Sequence, residues 1–264
     1  METARPLETS SHRGGPLAIF VASGAEARSL CRALSGSRRS PHNSDSPARI
    51  QVAHRELLLA RTGMGPDNAD IAARRLFDEG PIAAALSVGV AGGLSPRLQP
   101  GDLIVGNRVV LHRGSGMAPQ SFSCDPGMQE WAMGLLRQSK DRHCLGPIAT
   151  VERILLTAQE KRHLAAESSA IAVDMESAAI ASVAAARAVP FLAIRAILDP
   201  LEEDLKIAFG QFLDRQGEPR WAPLTRYLLA HPQVLPRLMA LGFRTKVACT
   251  RLGRLLRDLL TAPA

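Results

Sequence analysis

Ala83-Ala84-Ala85-Leu86-Ser87-Val88, running directly into Gly89-Val90-Ala91-Gly92-Gly93, is the stretch on which the fold turns. Six small or apolar residues without polar alternation read as a strand buried on both faces. The glycines that follow read as a tight turn or a place where another group comes close to the backbone. The same kind of run recurs at 17–22, 103–111 and 191–197, with shorter ones at 148–151 and 170–173. Stretches of helical character lie at 25–34, 67–77, 128–139 and the alanine-rich 177–188, the second capped by Asp67 or Asn68. Two β-like runs, 49–53 and 56–60, can pair before the turn Thr62-Gly63-Met64-Gly65-Pro66. Strands of this type alternating with helices specify an α/β protein whose sheet is covered on both faces. Residues 35–47 and 112–127 read as loops, and the polar segment 1–15 as a disordered leader.

The chain has 264 residues, 46% of them apolar and 22% charged, which is enough for one full core. It lacks an 18-residue apolar run, and 17–22 is too short for a signal-peptide core, so a cytoplasmic location is the default expectation. Cys31, Cys124, Cys144 and Cys249 show no C-x-x-C spacing and no nearby histidine pair, so neither zinc nor a disulfide framework is expected. The net charge of +7 is unevenly placed, because nine Lys/Arg and only two acids fall within 215–264. A neutral body with a basic tail argues against a nucleic-acid binder and for a local interaction surface. The expected division is therefore a leader (1–15), a domain (16–214) and a basic helical tail (215–264). In that tail Phe243, Val247, Ala248, Leu252, Leu255, Leu256, Leu259 and Leu260 share one helical face, with the arginines mainly off it. Such a helix over 221–260 can lie in an anionic membrane interface, with Trp221 and Tyr227 as interfacial side chains, or it can pack on the domain or a partner subunit.

Two acids stand out by position. Asp199 lies just past the apolar run 191–197, and Glu176 follows 170–173 and opens a helix, where the N-terminus supplies donors and a positive field. Taken singly, each has a plainer reading. Asp199 before Pro200 could be an Asx-turn residue, Glu176 a helix-terminal charge, and Glu26 a solvated helix residue.

The segments around these acids decide between the readings. Ala172-Val173-Asp174-Met175-Glu176-Ser177-Ala178-Ala179-Ile180-Ala181 and Val189-Pro190-Phe191-Leu192-Ala193-Ile194-Arg195-Ala196-Ile197-Leu198-Asp199 resemble the paired signature of the purine nucleoside phosphorylase and methylthioadenosine/S-adenosylhomocysteine nucleosidase superfamily. Gly89-Val90-Ala91-Gly92-Gly93-Leu94, Pro100-Gly101-Asp102-Leu103-Ile104-Val105 and Thr62-Gly63-Met64-Gly65 resemble its other segments, in the family's order, across roughly 16–214. The resemblance implies a three-layer αβα fold with a central mixed twisted sheet. It also implies an enzyme, acting as a homo-oligomer without metal or organic cofactor, that cleaves the N-glycosidic bond of an adenosine-type nucleoside and releases adenine. Such a bond breaks through a cationic, ribose-centred transition state, which calls for an acid at the base and a carboxylate at the sugar.

Carried over by residue, the resemblance makes Asp199 the acid at the purine, Glu176 the partner of the ribose 2′ and 3′ hydroxyls, Glu26 the group that activates water, and Arg195 a support for that end of the site. Met175 would pack on the sugar, Val90 and Gly92 would bound the substrate, and Ile154 with Leu155 would lie against the base. Gly24 and Arg28 resemble the first phosphate-binding segment of the phosphorylases, which leaves phosphate as a candidate co-substrate. Against that, Ser87 and Val90 stand where those enzymes carry an arginine and a Ser/Thr, favouring water, and Leu198 replaces a serine before the acid. A degenerate phosphate site with an Arg/Leu-rich C-terminus is similar to the hopanoid-associated phosphorylase branch, whose implied substrate is adenosylhopane, a lipid-linked adenosine met at the inner membrane surface. Two alternatives stand beside it: a methylthioadenosine/S-adenosylhomocysteine nucleosidase, and a non-catalytic, membrane-associated nucleoside-binding module.

Overall fold

The computed structural model describes residues 15–35, 47–53, 55–114, 118–205, 212, 214 and 220–261. Most of the leader, and 36–46 of the loop expected at 35–47, lie outside them. The chain opens with β1 (Leu17–Val21), buried along its whole length, and α1 (Gly24–Ser35). A hairpin of β2 (Ala48–Val52) and β3 (Arg55–Arg61) follows, then α2 (Pro66–Asp78), started by a proline whose missing N–H costs nothing in the first turn. Next come β4 (Ala84–Gly93), β5 (Leu103–Leu111), β6 (Gln120–Ser123), α3 (Pro126–Gln138), β7 (His143–Thr150) and α4 (Ala158–Ser168). The order ends with β8 (Ala172–Asp174), α5 (Ser177–Ala186), β9 (Phe191–Asp199), α6 (Trp221–Ala230) and α7 (Leu235–Thr261).

These nine described strands form one mixed sheet. β1 lies parallel between β3 and β4, as buried strands joined through helices do. β4 then pairs with both β8 and β9, β8 with β7, β7 with β5, and β5 with β9. The sheet therefore closes on itself through β4, β8, β7, β5 and β9, so their unpaired edges disappear. Helices α1, α3 and α7 cover one side and α2 and α5 pack together on the other, giving the three-layer αβα architecture. In the β4–β9 ladder Ala91 pairs with Ile197 but Gly92 pairs with Asp199, so Leu198 is the extra residue of a β-bulge.

Three expectations need correcting. The stretch 112–127 is not simply a loop: Gln120–Ser123 add an edge strand to β5, and Asp125 caps α3 by accepting the Met128 N–H at 2.9 Å. Residues 158–168, to which the sequence reading assigned no element, form a helix. Its buried residues are Ala158, Lys161 and Leu164, too few to draw an apolar stripe.

The third correction concerns the tail. Ala248, Leu252, Leu255, Leu256, Leu259 and Leu260 belong to the main core, against α1, α3, β4 and β9, so the boundary at 214 does not delimit a separate body. The arginines of this helix also reach the domain: Arg251 donates to the Gly101 carbonyl at 2.6 Å, Arg257 Nε to the Ala33 carbonyl at 2.6 Å, and Arg244 to Glu203 at 2.6 Å. Phe243, on the same face by periodicity, is 68% exposed, so the buried stretch of that face does not extend to it. None of the described helices is long and apolar enough to cross a membrane. If the tail is core, Leu256→Ala lowers unfolding free energy by about 2–5 kcal/mol in urea titrations, whereas Leu229→Ala, at an exposed position, changes it by less than about 0.5 kcal/mol.

Candidate active site

A cavity of about 580 Å³ opens where β1, β4, β8 and β9 end, with Glu26, Glu176 and Asp199 in its wall. All three carboxylates are buried, and each is placed by a different local device.

Glu26 sits in the first turn of α1, where a carboxylate meets the positive helix end. Its Oε2 accepts the Ser23 N–H at 2.8 Å and the Ser23 hydroxyl at 2.9 Å, and its Oε1 accepts the Val90 N–H at 2.9 Å. Glycine at 89 leaves room for this contact with β4, since a Cβ there would stand 2.7 Å from Glu26 Oε1 and displace it. Glu176 occupies the N-cap of α5, with Oε1 accepting the Gly65 N–H at 3.0 Å. Burial first, and then the neighbouring Asp174 charge, push its carboxyl up to about 8, against the opposing pull of Arg195 and the Gly65 N–H.

Asp199 owes its direction to the bulge at Leu198, which breaks the strand's alternation and lays the carboxylate over Gly92: a Cβ at that glycine would stand 3.5 Å from Asp199 Oδ2. Burial raises its affinity for a proton, and Lys161 opposes that. Lys161 projects from α4, is 1% exposed, and donates to Asp199 Oδ2, to the Pro200 carbonyl at 2.9 Å and to the Glu203 carbonyl at 3.0 Å. The sequence reading missed this residue. The available signal was Thr157-Ala158-Gln159-Glu160, which forms a capping box in the structure and would have placed the helix, though not the inward turn of its lysine.

Arg195 lines the cavity, but its guanidinium is engaged elsewhere. Nε donates to Asp174 Oδ2 at 2.8 Å, and Nη2 donates to the hydroxyls of Ser87 at 2.7 Å and Ser177 at 2.8 Å. Asp174 also accepts the Thr150 hydroxyl at 2.6 Å, so this network ties β4, β7, β8, β9 and α5 together behind the cavity. Met175, Val90, Gly92, Ile154 and Leu155 line the cavity, and Arg28 reaches it from an exposed position. Gly24 opens α1 and is not among the described lining residues. Phe212, and from the segment beyond 214 that the sequence reading set apart Leu224, Leu238 and Leu241, add an apolar wall.

The arrangement offers a buried acid, a carboxylate for polar hydroxyls and a second carboxylate near them. Because the folded chain keeps the Glu176 proton to about pH 8 while the unfolded chain releases it near 4.5, stability falls as pH rises through that interval. In thermal melts of the ligand-free protein, Glu176→Gln flattens this decline, and a wild-type slope retained by the variant refutes the assignment. Gly89→Ala displaces Glu26 and lowers catalytic turnover at least about tenfold, with a melting temperature lowered far less than by a core truncation.

A family model described as the Phosphorylase superfamily matches residues 16–224. A 5′-methylthioadenosine/S-adenosylhomocysteine nucleosidase of Staphylococcus epidermidis is 28% identical over 177 residues, 62% of this chain and 78% of that protein. Among solved structures, a Helicobacter pylori nucleosidase mutant with 5′-methylthioadenosine in its active site superposes with a TM-score of 0.74 at 17% identity, covering 95% of this chain and 100% of that one. The Neisseria meningitidis 5′-methylthioadenosine/S-adenosylhomocysteine nucleosidase in complex with methylthio-immucillin-A gives 0.73 at 20%, covering 94% and 99%. At such identities the structural likeness speaks for the fold.

Proposed function

The chain belongs to the phosphorylase superfamily, and from that premise we propose that it is a nucleosidase that hydrolyses the N-glycosidic bond of an adenosine-type nucleoside and releases adenine. The observation that carries this reading is the trio of buried carboxylates around one cavity, each held by different partners. Asp199, its proton favoured by burial, donates to the leaving purine at N7 as the C1′–N9 pair moves onto the base. Glu176, protonated to about pH 8 in the ligand-free chain, hydrogen-bonds the ribose hydroxyls, and the positive charge that develops on the sugar favours its carboxylate form, which offsets that charge. Glu26 takes a proton from the attacking water. Arg195 acts indirectly, by holding Asp174 and with it the turn that presents Met175 and Glu176.

Water is favoured over phosphate by the surroundings of Glu26. The donors on this floor, Ser23 and the Val90 N–H, already serve a carboxylate, and Ser87 serves Arg195. A phosphate dianion placed here would meet a like charge. Arg28, exposed at the rim, does not change that balance.

The finer substrate reading is a lipid-linked adenosine, adenosylhopane, met by a cytoplasmic homo-oligomer at the inner membrane surface. It is supported by the apolar wall of Phe212, Leu224, Leu238 and Leu241. It is also supported by the exposed Leu229, Leu235, Met239 and Phe243, which have the exposed Arg226, Arg237 and Lys246 nearby in sequence, a chemistry suited to an anionic interface. Similarity to 5′-methylthioadenosine/S-adenosylhomocysteine nucleosidases favours the second reading, methylthioadenosine or adenosylhomocysteine as substrate. Adenine release from each of the three compounds, with and without phosphate, separates them. The expected result is release without phosphate, fastest from adenosylhopane, with an unphosphorylated ribosyl hopane as the other product. Faster turnover of the soluble nucleosides selects the second reading, and phosphate dependence overturns hydrolysis. Asp199→Asn should stay folded and lose at least about 100-fold in kcat.

A further inference from the structure

We infer that Lys161 is the positioning residue of the acid step: its ammonium fixes Asp199 against the base and stabilises the carboxylate that Asp199 becomes on giving up its proton. The inference rests on Asp199 being the acid, as proposed above. Burying an ammonium is costly unless its donors are satisfied, and here three acceptors surround Nζ: Asp199 Oδ2, the Pro200 carbonyl at 2.9 Å and the Glu203 carbonyl at 3.0 Å. A neutral amine has only two N–H bonds, so this set fits the charged form.

The surroundings are built to hold it. Glu160 closes the capping box of α4, and its carboxylate also accepts the Leu156 N–H at 2.8 Å. The Ala158 N–H donates to Asp204 Oδ1 at 2.7 Å and the Leu205 N–H to the Leu156 carbonyl at 2.7 Å, so the helix start is tied to the segment just after Asp199. The other charged groups facing Asp199 are Glu203 and Arg244, and these pair with each other at 2.6 Å. Lys161 is thus left as the cation that acts on Asp199 without a competing partner charge among these groups, while β4 contributes only neutral Gly92 and Gly93 on that side.

The charge balance follows. Before transfer, a neutral acid lies beside a cation. The proton then passes from Asp199 to the base nitrogen, the C1′–N9 electron pair goes to the base, and Asp199 and Lys161 become an ion pair. In a water-poor pocket that pair is worth more than the neutral arrangement, so Lys161 stabilises the transition state over the ground state. Solvent returns the proton to Asp199 after adenine leaves.

The test uses the full chain with methylthioadenosine, or with adenosylhopane where that is the compound turned over, and with 4-nitrophenyl riboside, whose leaving group needs no proton. Lys161→Met should lower kcat on the nucleoside about 10–100-fold and shift the alkaline limb of the pH profile up by about one unit. It should leave the aryl riboside within about threefold of wild type, which also reports the fold. Lys161→Arg, keeping the charge, should keep the limb near its wild-type position. In an Asp199→Asn background Lys161→Met should add no further loss, as residues acting through one group do. An unmoved limb, equal losses on both substrates, or losses that multiply in the double variant would overturn the inference. Lys161→Gln, which keeps two N–H donors, is read by the same criteria if the methionine variant does not fold. Undiminished activity of Asp199→Asn instead overturns the functional reading itself.

Discussion

Burying a guanidinium and a carboxylate costs several kcal/mol for each ion unless they meet in good geometry and their remaining hydrogen-bonding capacity is filled. The Arg195–Asp174 pair meets both conditions. The ions approach to 2.8 Å, Ser87 and Ser177 accept the second guanidinium nitrogen, and Thr150 donates to the carboxylate. Removing either partner would leave an uncompensated charge in the core, a loss of about 3–5 kcal/mol. The rest of the site depends on this pair because Asp174 ends β8 and Arg195 lies inside β9, so it joins the two strands from which Glu176 and Asp199 emerge.

Around that fixed point, backbone geometry does the aiming. A glycine lets Glu26 approach β4, a one-residue bulge points Asp199 across Gly92, and an N-cap position presents Glu176. Each device gives its carboxylate a different set of neighbours. Glu26 is surrounded by donors, Asp199 faces a single lysine, and Glu176 sits beside Asp174, whose charge helps push its carboxyl up to about 8. Three acids of one chemical type thereby become three distinct groups.

The C-terminal helix serves two surroundings along one length. Its second half completes the core, where Leu252, Leu256, Leu259 and Leu260 are buried, and its arginines meet carbonyls and acids of the body. Its first half, with α6, closes the cavity on one side and leaves Leu229, at 80% exposure, and Met239, at 67%, facing outward. A helical stripe identifies an apolar face but not what covers it, and here the cover changes midway.

The sequence by itself determined the alternation of strands and helices, the positions of Glu26, Glu176 and Asp199 at strand ends, and the family. These are local or collinear signals: apolar runs, glycine turns, and motifs in a fixed order. Some limits were visible as residues. The segment 112–127 hid a four-residue edge strand because its residues are mostly exposed and draw no apolar pattern, and α4 was passed over because it buries so few residues. Only the tertiary structure decided that Arg195 braces the site behind Asp174, that Leu198 is a bulge, that Lys161 turns inward to Asp199, and that the basic tail belongs to the core. Each of these is a relation between residues 18 to 224 positions apart along the chain, or a register choice between two strands. Burial of a charge or an apolar face depends on which distant element arrives to satisfy it, and periodicity along one segment carries no record of that partner.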